Sequence, residues 1–183
     1  MPFLIILALI VVVAFWLVGL YNGMVSMRNQ VKNAWSQIDV QLKRRHDLIP
    51  NLVETVKGYA GHEKTTLENV TRARTQAVAA QGVVQQAAAE QELTSALGRL
   101  MLVVEQYPDL KANQNFLALQ EELASTENKI GFSRQFFNDS VMQFNTKIQS
   151  FPANFIANSF GFKEETLWAI EDKTDRETPQ VRF

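Results

Sequence analysis

Residues Phe3–Leu20 form one apolar run with nothing more polar in it than Gly19, and no charge occurs before Arg28. Eighteen helical residues rise roughly 27 Å, close to the hydrocarbon thickness of a bilayer. Such a run needs lipid around it, and it puts the rest of the chain beside a membrane. Trp16 and Tyr21 suit the aromatic belt at headgroup level. Asn22 and Gly23 then mark the exit into water.

Three features set this run apart from a cleaved signal peptide. No Lys or Arg precedes it, it exceeds the usual apolar core of about 7–15 residues, and Val18-Gly19-Leu20-Tyr21 offers no small-x-small cleavage site. A retained transmembrane anchor is expected. Arg28 and Lys32 follow it closely, with Lys43, Arg44 and Arg45 further on, so the positive-inside rule keeps the C-terminal side in the cytoplasm. The chain has no cysteine, which rules out a lipidated cysteine anchor and fits either compartment.

About 160 residues after the anchor suffice for one domain. Gly and Pro are few, 8 and 5, strand-like alternation is absent, and Gln, Glu, Ala, Leu and Lys are frequent, so the domain is expected to be all-α. A first soluble helix over about Val25–Lys57 has the seam Val31, Trp35, Ile38, Leu42, Ile49, Leu52, Val56, at steps of mostly three and four. Arg45 falls where that seam expects an apolar residue. Pro50 lies inside it and is expected to kink or break the helix. A second helix, about His62–Ala80, carries Leu67, Val70, Ala73 and Ala77, with Val78 as a further candidate. Gln81-Gly82 and the run Gln85–Ala89 form a low-complexity patch that reads as a hairpin tip, and a third helix extends from about Val84 to Gln106 with Leu93, Leu97, Leu100 and Val104.

The fourth helix, about Ala112–Ser150, holds one heptad position as Phe116, Leu123, Ile130, Phe137, Phe144, Phe151. An apolar heptad kept this long argues for coiled-coil-like packing in a bundle. The expected architecture is an N-terminal transmembrane helix followed by a long up-and-down antiparallel four-helix bundle. Its divisions are an anchor over 1–24, a bundle over 25–162 and a charged tail over 163–183. A helical stretch is expected at Glu164–Ile170 and disorder from Glu171 onward.

The inventory for catalysis is poor. Without cysteine there is no thiolate chemistry. His62-Glu63 begins like a zinc-protease helix, but Thr66 stands where the second histidine is needed. His46 and Asp47 are neighbours in sequence and do not face each other on a helix. No glycine-rich phosphate loop and no Glu-x-x-His pair is present. No catalytic residue, cofactor or metal site is expected, and a net charge of −1 gives no reason to expect nucleic acid.

Arg45, Glu127 and Arg134 fall on or beside apolar stripes. If the first and fourth helices are antiparallel neighbours, these three form a polar layer that fixes register at some cost in stability. A ligand site on that layer, or side chains reaching out to water, are the alternatives. Beyond the fourth helix, Phe155, Ile156, Phe160 and Phe162 form an apolar piece. It is expected near the membrane end of the bundle, covering a neighbouring subunit, lying on headgroups or folding back on its own bundle.

These residues also carry a family signature. Arg28-Asn29, Val31, Ala34-Trp35-Ser36-Gln37-Ile38-Asp39-Val40-Gln41-Leu42 and Asp47-Leu48-Ile49-Pro50-Asn51-Leu52-Val53 resemble the LemA family. So do Val56-Lys57-Gly58-Tyr59, His62-Glu63, Tyr107-Pro108-Asp109-Leu110-Lys111-Ala112-Asn113, Thr126-Glu127-Asn128-Lys129-Ile130 and Phe151-Pro152, all in family order. The resemblance implies bacterial proteins with a single N-terminal anchor and a long-helix bundle, related to a magnetosome membrane protein, and it brings no enzymatic activity.

The function expected from the residues and the resemblance together is a non-enzymatic scaffold at the bacterial inner membrane. Its expected partners are the lipid bilayer and further copies of the chain. The alternative is an accessory in membrane-protein quality control, beside a membrane protein such as a protease.

Overall fold

The computed structural model describes residues 2–169. The expected disorder from Glu171 and the apolar end Val181-Arg182-Phe183 lie outside them. Helix α1 (Pro2–Lys57) is one uninterrupted helix of 56 residues, so the apolar run continues into the first soluble seam without a break at Gly23. Pro50 sits inside it and does not end it. Then come α2 (Lys64–Ala79), α3 (Gly82–Val104), the single turn α4 (Pro108–Lys111), α5 (Gln114–Gln149) and the short α6 (Ala153–Ser159). The described residues contain no strand, and the protein is all-α.

The hairpin tip is shorter than the sequence suggested. Ala80 and Gln81 alone connect α2 to α3, and Gly82 takes a positive φ of 77° at the start of α3. Gln85–Ala89 lie inside α3, with Gln86 and Ala87 buried, because Gln and Ala are good helix formers and only one position needs glycine's freedom. Pro108 opens α4, where its missing N–H is harmless. Asn113 then accepts a bond from the Phe116 N–H at 3.1 Å, capping α5.

The chain forms two compact units. One comprises Leu42–Asn128, together with the buried Trp168. Its core takes Ile49, Leu52 and Val56 from α1, Leu67, Val70, Ala73 and Ala77 from α2, Leu93, Ala96, Leu100 and Val104 from α3, Leu110 from α4, and Phe116 and Leu123 from α5. Most of these are the periodic apolar residues of the sequence, with Ala96 and Leu110 added and Leu97 only partly buried. Val78 alone among the candidates of α2 points outward, 57 % exposed. The neighbours run antiparallel: Arg74 reaches back to His46, Gln86 to Ala77, Tyr107 to Glu63 and Glu127 to Arg45. This unit is an up-and-down four-helix bundle.

The other unit comprises residues 2–41 and Lys129–Leu167. Its core is Met24, Val31, Ala34 and Ile38 against Ile130, Phe137, Val141, Phe144 and Ile148, closed by Ala153, Ala157 and Phe162. Trp35 meets Phe137 edge to face at 5.4 Å. Only two long helices take part. At 1.5 Å per residue the 16-residue α2 and 23-residue α3 reach about 24 and 35 Å, whereas α1 and α5 reach about 84 and 54 Å. The α2–α3 hairpin belongs wholly to the unit of Leu42–Asn128.

Residues 163–169 are not helical, in contrast to the helix expected from Glu164. The Asn145 side chain occupies both backbone groups of Glu165: its Nδ2 donates to the carbonyl and its Oδ1 accepts from the N–H, each at 2.9 Å. A backbone held this way has no group left for a helical turn.

Candidate functional site

The four-helix unit buries an ion cluster. Glu90 of α3 is its centre, with a side chain only 6 % exposed. Its Oε2 accepts from Arg45 Nη1 at 3.2 Å, and its Oε1 lies 2.7 Å from His46 Nε2 and 3.0 Å from Gln86 Nε2. Arg45 Nη2 donates to Thr94 Oγ1 at 2.7 Å and stands 3.4 Å from Glu127 Oε2. Gln86 Nε2 also donates to the Ala77 carbonyl at 3.0 Å. The cluster therefore joins α1, α2, α3 and α5. An ionised carboxylate only accepts, so the proton shared with His46 sits on Nε2. Both carboxylate oxygens of Glu90 are thus engaged by side chains of the bundle.

Of the three residues expected in a polar layer, the fold brings Arg45 and Glu127 together and places Arg134 in the other unit. Glu127 keeps 48 % of its side chain exposed, so the buried counter-charge of Arg45 is Glu90. Sequence reasoning missed Glu90, Gln86 and Thr94. A signal existed, since they stand at i−4, i and i+4 on one face of α3. It was hidden because Gln85–Ala89 read as a tip. His46 joins the cluster through its ring, whereas its neighbour Asp47 is exposed and pairs with Lys43.

Pro50 explains a second contact. In an unbroken helix the residue four after His46 donates its N–H to the His46 carbonyl, and proline has none to give. Arg74 of α2 fills the vacancy, donating Nε to that carbonyl at 2.6 Å. The backbone acceptor stays satisfied inside the bundle, and α1 continues past Pro50.

At the far turn, Tyr107 Oη donates to Glu63 Oε1 at 3.3 Å and Asn113 Nδ2 donates to Tyr59 Oη at 2.9 Å. Burial pushes the Tyr107 phenol above its ordinary value, and the Glu63 charge and hydrogen bond push it the same way.

The two-helix unit presents apolar surface rather than buried charge. The apolar part of α1 is uncovered along its length: Phe3, Ile10, Phe15 and Trp16 are all more than half exposed. Phe151, Phe155 and Phe160 are exposed at 80 %, 65 % and 66 %, and Ile156 is half-buried. Of the alternatives for this apolar piece, Phe162 takes the one of folding back on its own unit. It is buried, 5.7 Å from Tyr21, 6.3 Å from Phe144 and under the Arg28 guanidinium at 5.0 Å. Its orientation follows from Gly161, whose φ of 71° reverses the chain after α6. The Phe162 N–H bonds the Ala157 carbonyl at 2.9 Å and the Gly161 N–H bonds that of Asn158 at 3.4 Å, a Schellman end that sends Phe162 inward. Phe151 leaves the heptad seam because α5 stops at Gln149. Higher up the same unit, Phe132 and Phe136 lie one turn apart on α5, exposed at 74 % and 41 %.

The sequence model of the LemA family matches residues 34–183. The chain belongs to the LemA family. Among its relatives is the protein LemA of Metamycoplasma hominis, 27 % identical over 172 residues, covering 92 % of this chain and 78 % of the relative. Magnetosome protein MamQ 2 of Paramagnetospirillum magneticum is 28 % identical over 206 residues, covering 97 % and 75 %. MamQ of Magnetospirillum gryphiswaldense is 27 % identical over 189 residues, covering 88 % and 70 %. In this LemA family member the signature stretches build both the core and the turns. Ile38, Leu42 and Leu110 are buried, Pro50 calls for Arg74, and Asn113 caps α5. Family and bare apolar helix together indicate a membrane-associated helical protein.

Proposed function

We propose that this LemA family member is a non-enzymatic scaffold, held at the bacterial inner membrane by residues 3–20 with its helical units in the cytoplasm, and that it assembles with copies of itself. The observation behind this reading is the pair Phe132 and Phe136, displayed side by side on α5 while the opposite seam of the same helix is already filled. Their level favours a protein cover over lipid. Phe137 packs on Trp35, fifteen residues beyond Leu20, so this pair stands about 22 Å along the helix from the end of the apolar run. An exposed aromatic pair at that height suits a protein partner, and repeated contacts between identical chains commonly close into rings.

Mass photometry of the full chain in nanodiscs tests the assembly. The wild type should form a species above the monomer. Phe132→Ser with Phe136→Ser should return it to monomer without loss of helical circular dichroism. A wild type that stays monomeric while a membrane protease co-purifies in fixed ratio would replace the scaffold with the adaptor. Protease added outside intact spheroplasts should spare the C-terminal units, and digestion there would reverse the orientation.

A further inference from the structure

Phe160 is held at a known height. Its ring lies 4.9 Å from that of Tyr21, the residue directly after the apolar run ends at Leu20. Aromatic side chains at this depth occupy the boundary between hydrocarbon and headgroups. The rings of Phe151 and Phe155 meet at 6.0 Å, nearly perpendicular, on the outer side of α6. The inner side of α6 carries the small, buried Ala153 and Ala157, with Asn154 and Ile156 half-buried, which lets the short helix lie close on its unit. The Schellman end at Gly161 and the Asn145 clamp on Glu165 fix the chain that follows. The three exposed rings are therefore displayed by a braced element.

We propose that Phe151, Phe155 and Phe160 form a collar that enters the bilayer interface beside the anchor, giving the protein a second, monotopic contact with the lipid surface. This rests on residues 3–20 being a membrane span. The occupant is lipid rather than protein because the collar is continuous with the span through Tyr21. It is apolar recognition rather than charge: among the described residues of the collar segment, 151–169, exposed Lys163 is followed directly by exposed Glu164 and Glu165, so this segment carries no basic cluster to select anionic headgroups. Zwitterionic lipid suffices, and salt leaves the contact in place. The collar limits rotation and tilt of α1 where it leaves the membrane.

The absence of cysteine makes the test direct. Single variants Val11→Cys, Phe155→Cys, Phe160→Cys and Leu102→Cys of the full chain carry a nitroxide label in phosphatidylcholine vesicles. Collision with oxygen, which concentrates in lipid, is compared with collision with a water-soluble nickel chelate. Leu102, exposed on α3 of the four-helix unit, supplies the aqueous reference. The oxygen-to-nickel ratio at 155 and 160 should exceed that at 102 severalfold, fall below that at 11, and hold in high salt. A ratio at 155 and 160 equal to that at 102, with 11 in lipid, overturns the collar and leaves the anchor standing. An aqueous reading at 11 as well removes the span and the collar together. Labels at 155 shielded from both reagents and broadened by spin–spin coupling would show a second copy there, which also overturns the lipid assignment.

Discussion

The two units are built from the same two long helices and dispose of their apolar and polar residues in opposite ways. In Leu42–Asn128 every seam finds a partner, and ionic side chains lie among them: Arg45 and Glu90 are 3 % and 6 % exposed. In the unit of residues 2–41 and Lys129–Leu167, aromatic side chains stay outside, at Phe132, Phe136, Phe151, Phe155 and Phe160. Four helices provide enough walls to enclose both a core and a charge cluster. Two helices do not, and apolar surface left over in that way needs cover from lipid or another chain. Stability should therefore respond to changes in the first unit, and association with membrane or protein to changes in the second.

The sharpest way to break that division is Glu90→Ala. It strands the buried Arg45 charge and removes the acceptor of His46 and Gln86. A loss of about 3–5 kcal/mol in denaturant unfolding of the full chain is expected. Glu127→Ala, at the half-exposed end of the same cluster, should cost below about 1 kcal/mol. Equal losses at both positions would mean that Glu90 is not the principal counter-charge.

A second, smaller effect concerns the vacancy left by Pro50. Arg74→Met should destabilise by about 1.5–3 kcal/mol, the range for a hydrogen bond from a charged donor. Pro50→Ala restores the N–H that the His46 carbonyl lacks, so the same Arg74 change should cost less in that background. A double-mutant cycle reads the coupling directly, and a value near zero would mean that the two residues act independently.

The smallest effect belongs to the two-helix unit. Gly161→Ala meets nothing within 4 Å, so its cost is the positive φ alone, about 1 kcal/mol. Denaturant unfolding should hardly move. The oxygen-to-nickel ratio of a nitroxide at Phe160→Cys should drop, because the Schellman end no longer holds position 160 beside Tyr21. Large global destabilisation with an unchanged ratio would invert the comparison between the units.

Much of this was legible beforehand. The seam of α1 from Val31 to Val56, half-buried Trp35 apart, and the α5 heptad through Phe144 are buried at the expected positions, since a helical period states which face is covered. What went unread depended on partners distant in the chain. Arg45 announced itself as a charge in a seam, but its counter-ion lies 45 residues away on α3, in a segment whose Gln and Ala content read as a tip. The rescue of Pro50 comes from Arg74, 28 residues from the carbonyl that it serves.

The sequence by itself determined the apolar N-terminal run, the all-α class, the antiparallel order of the long helices and the residues of their cores. All of these follow from local periodicity and from turn chemistry between neighbouring elements. Only the tertiary structure decided that Glu90 holds Arg45, and that Phe162 turns inward while Phe160 stays out. Those outcomes depend on which side chains of distant elements come to stand within 3–4 Å of one another. A one-dimensional pattern specifies the face a residue occupies; its neighbour across the gap is set by helix lengths and register.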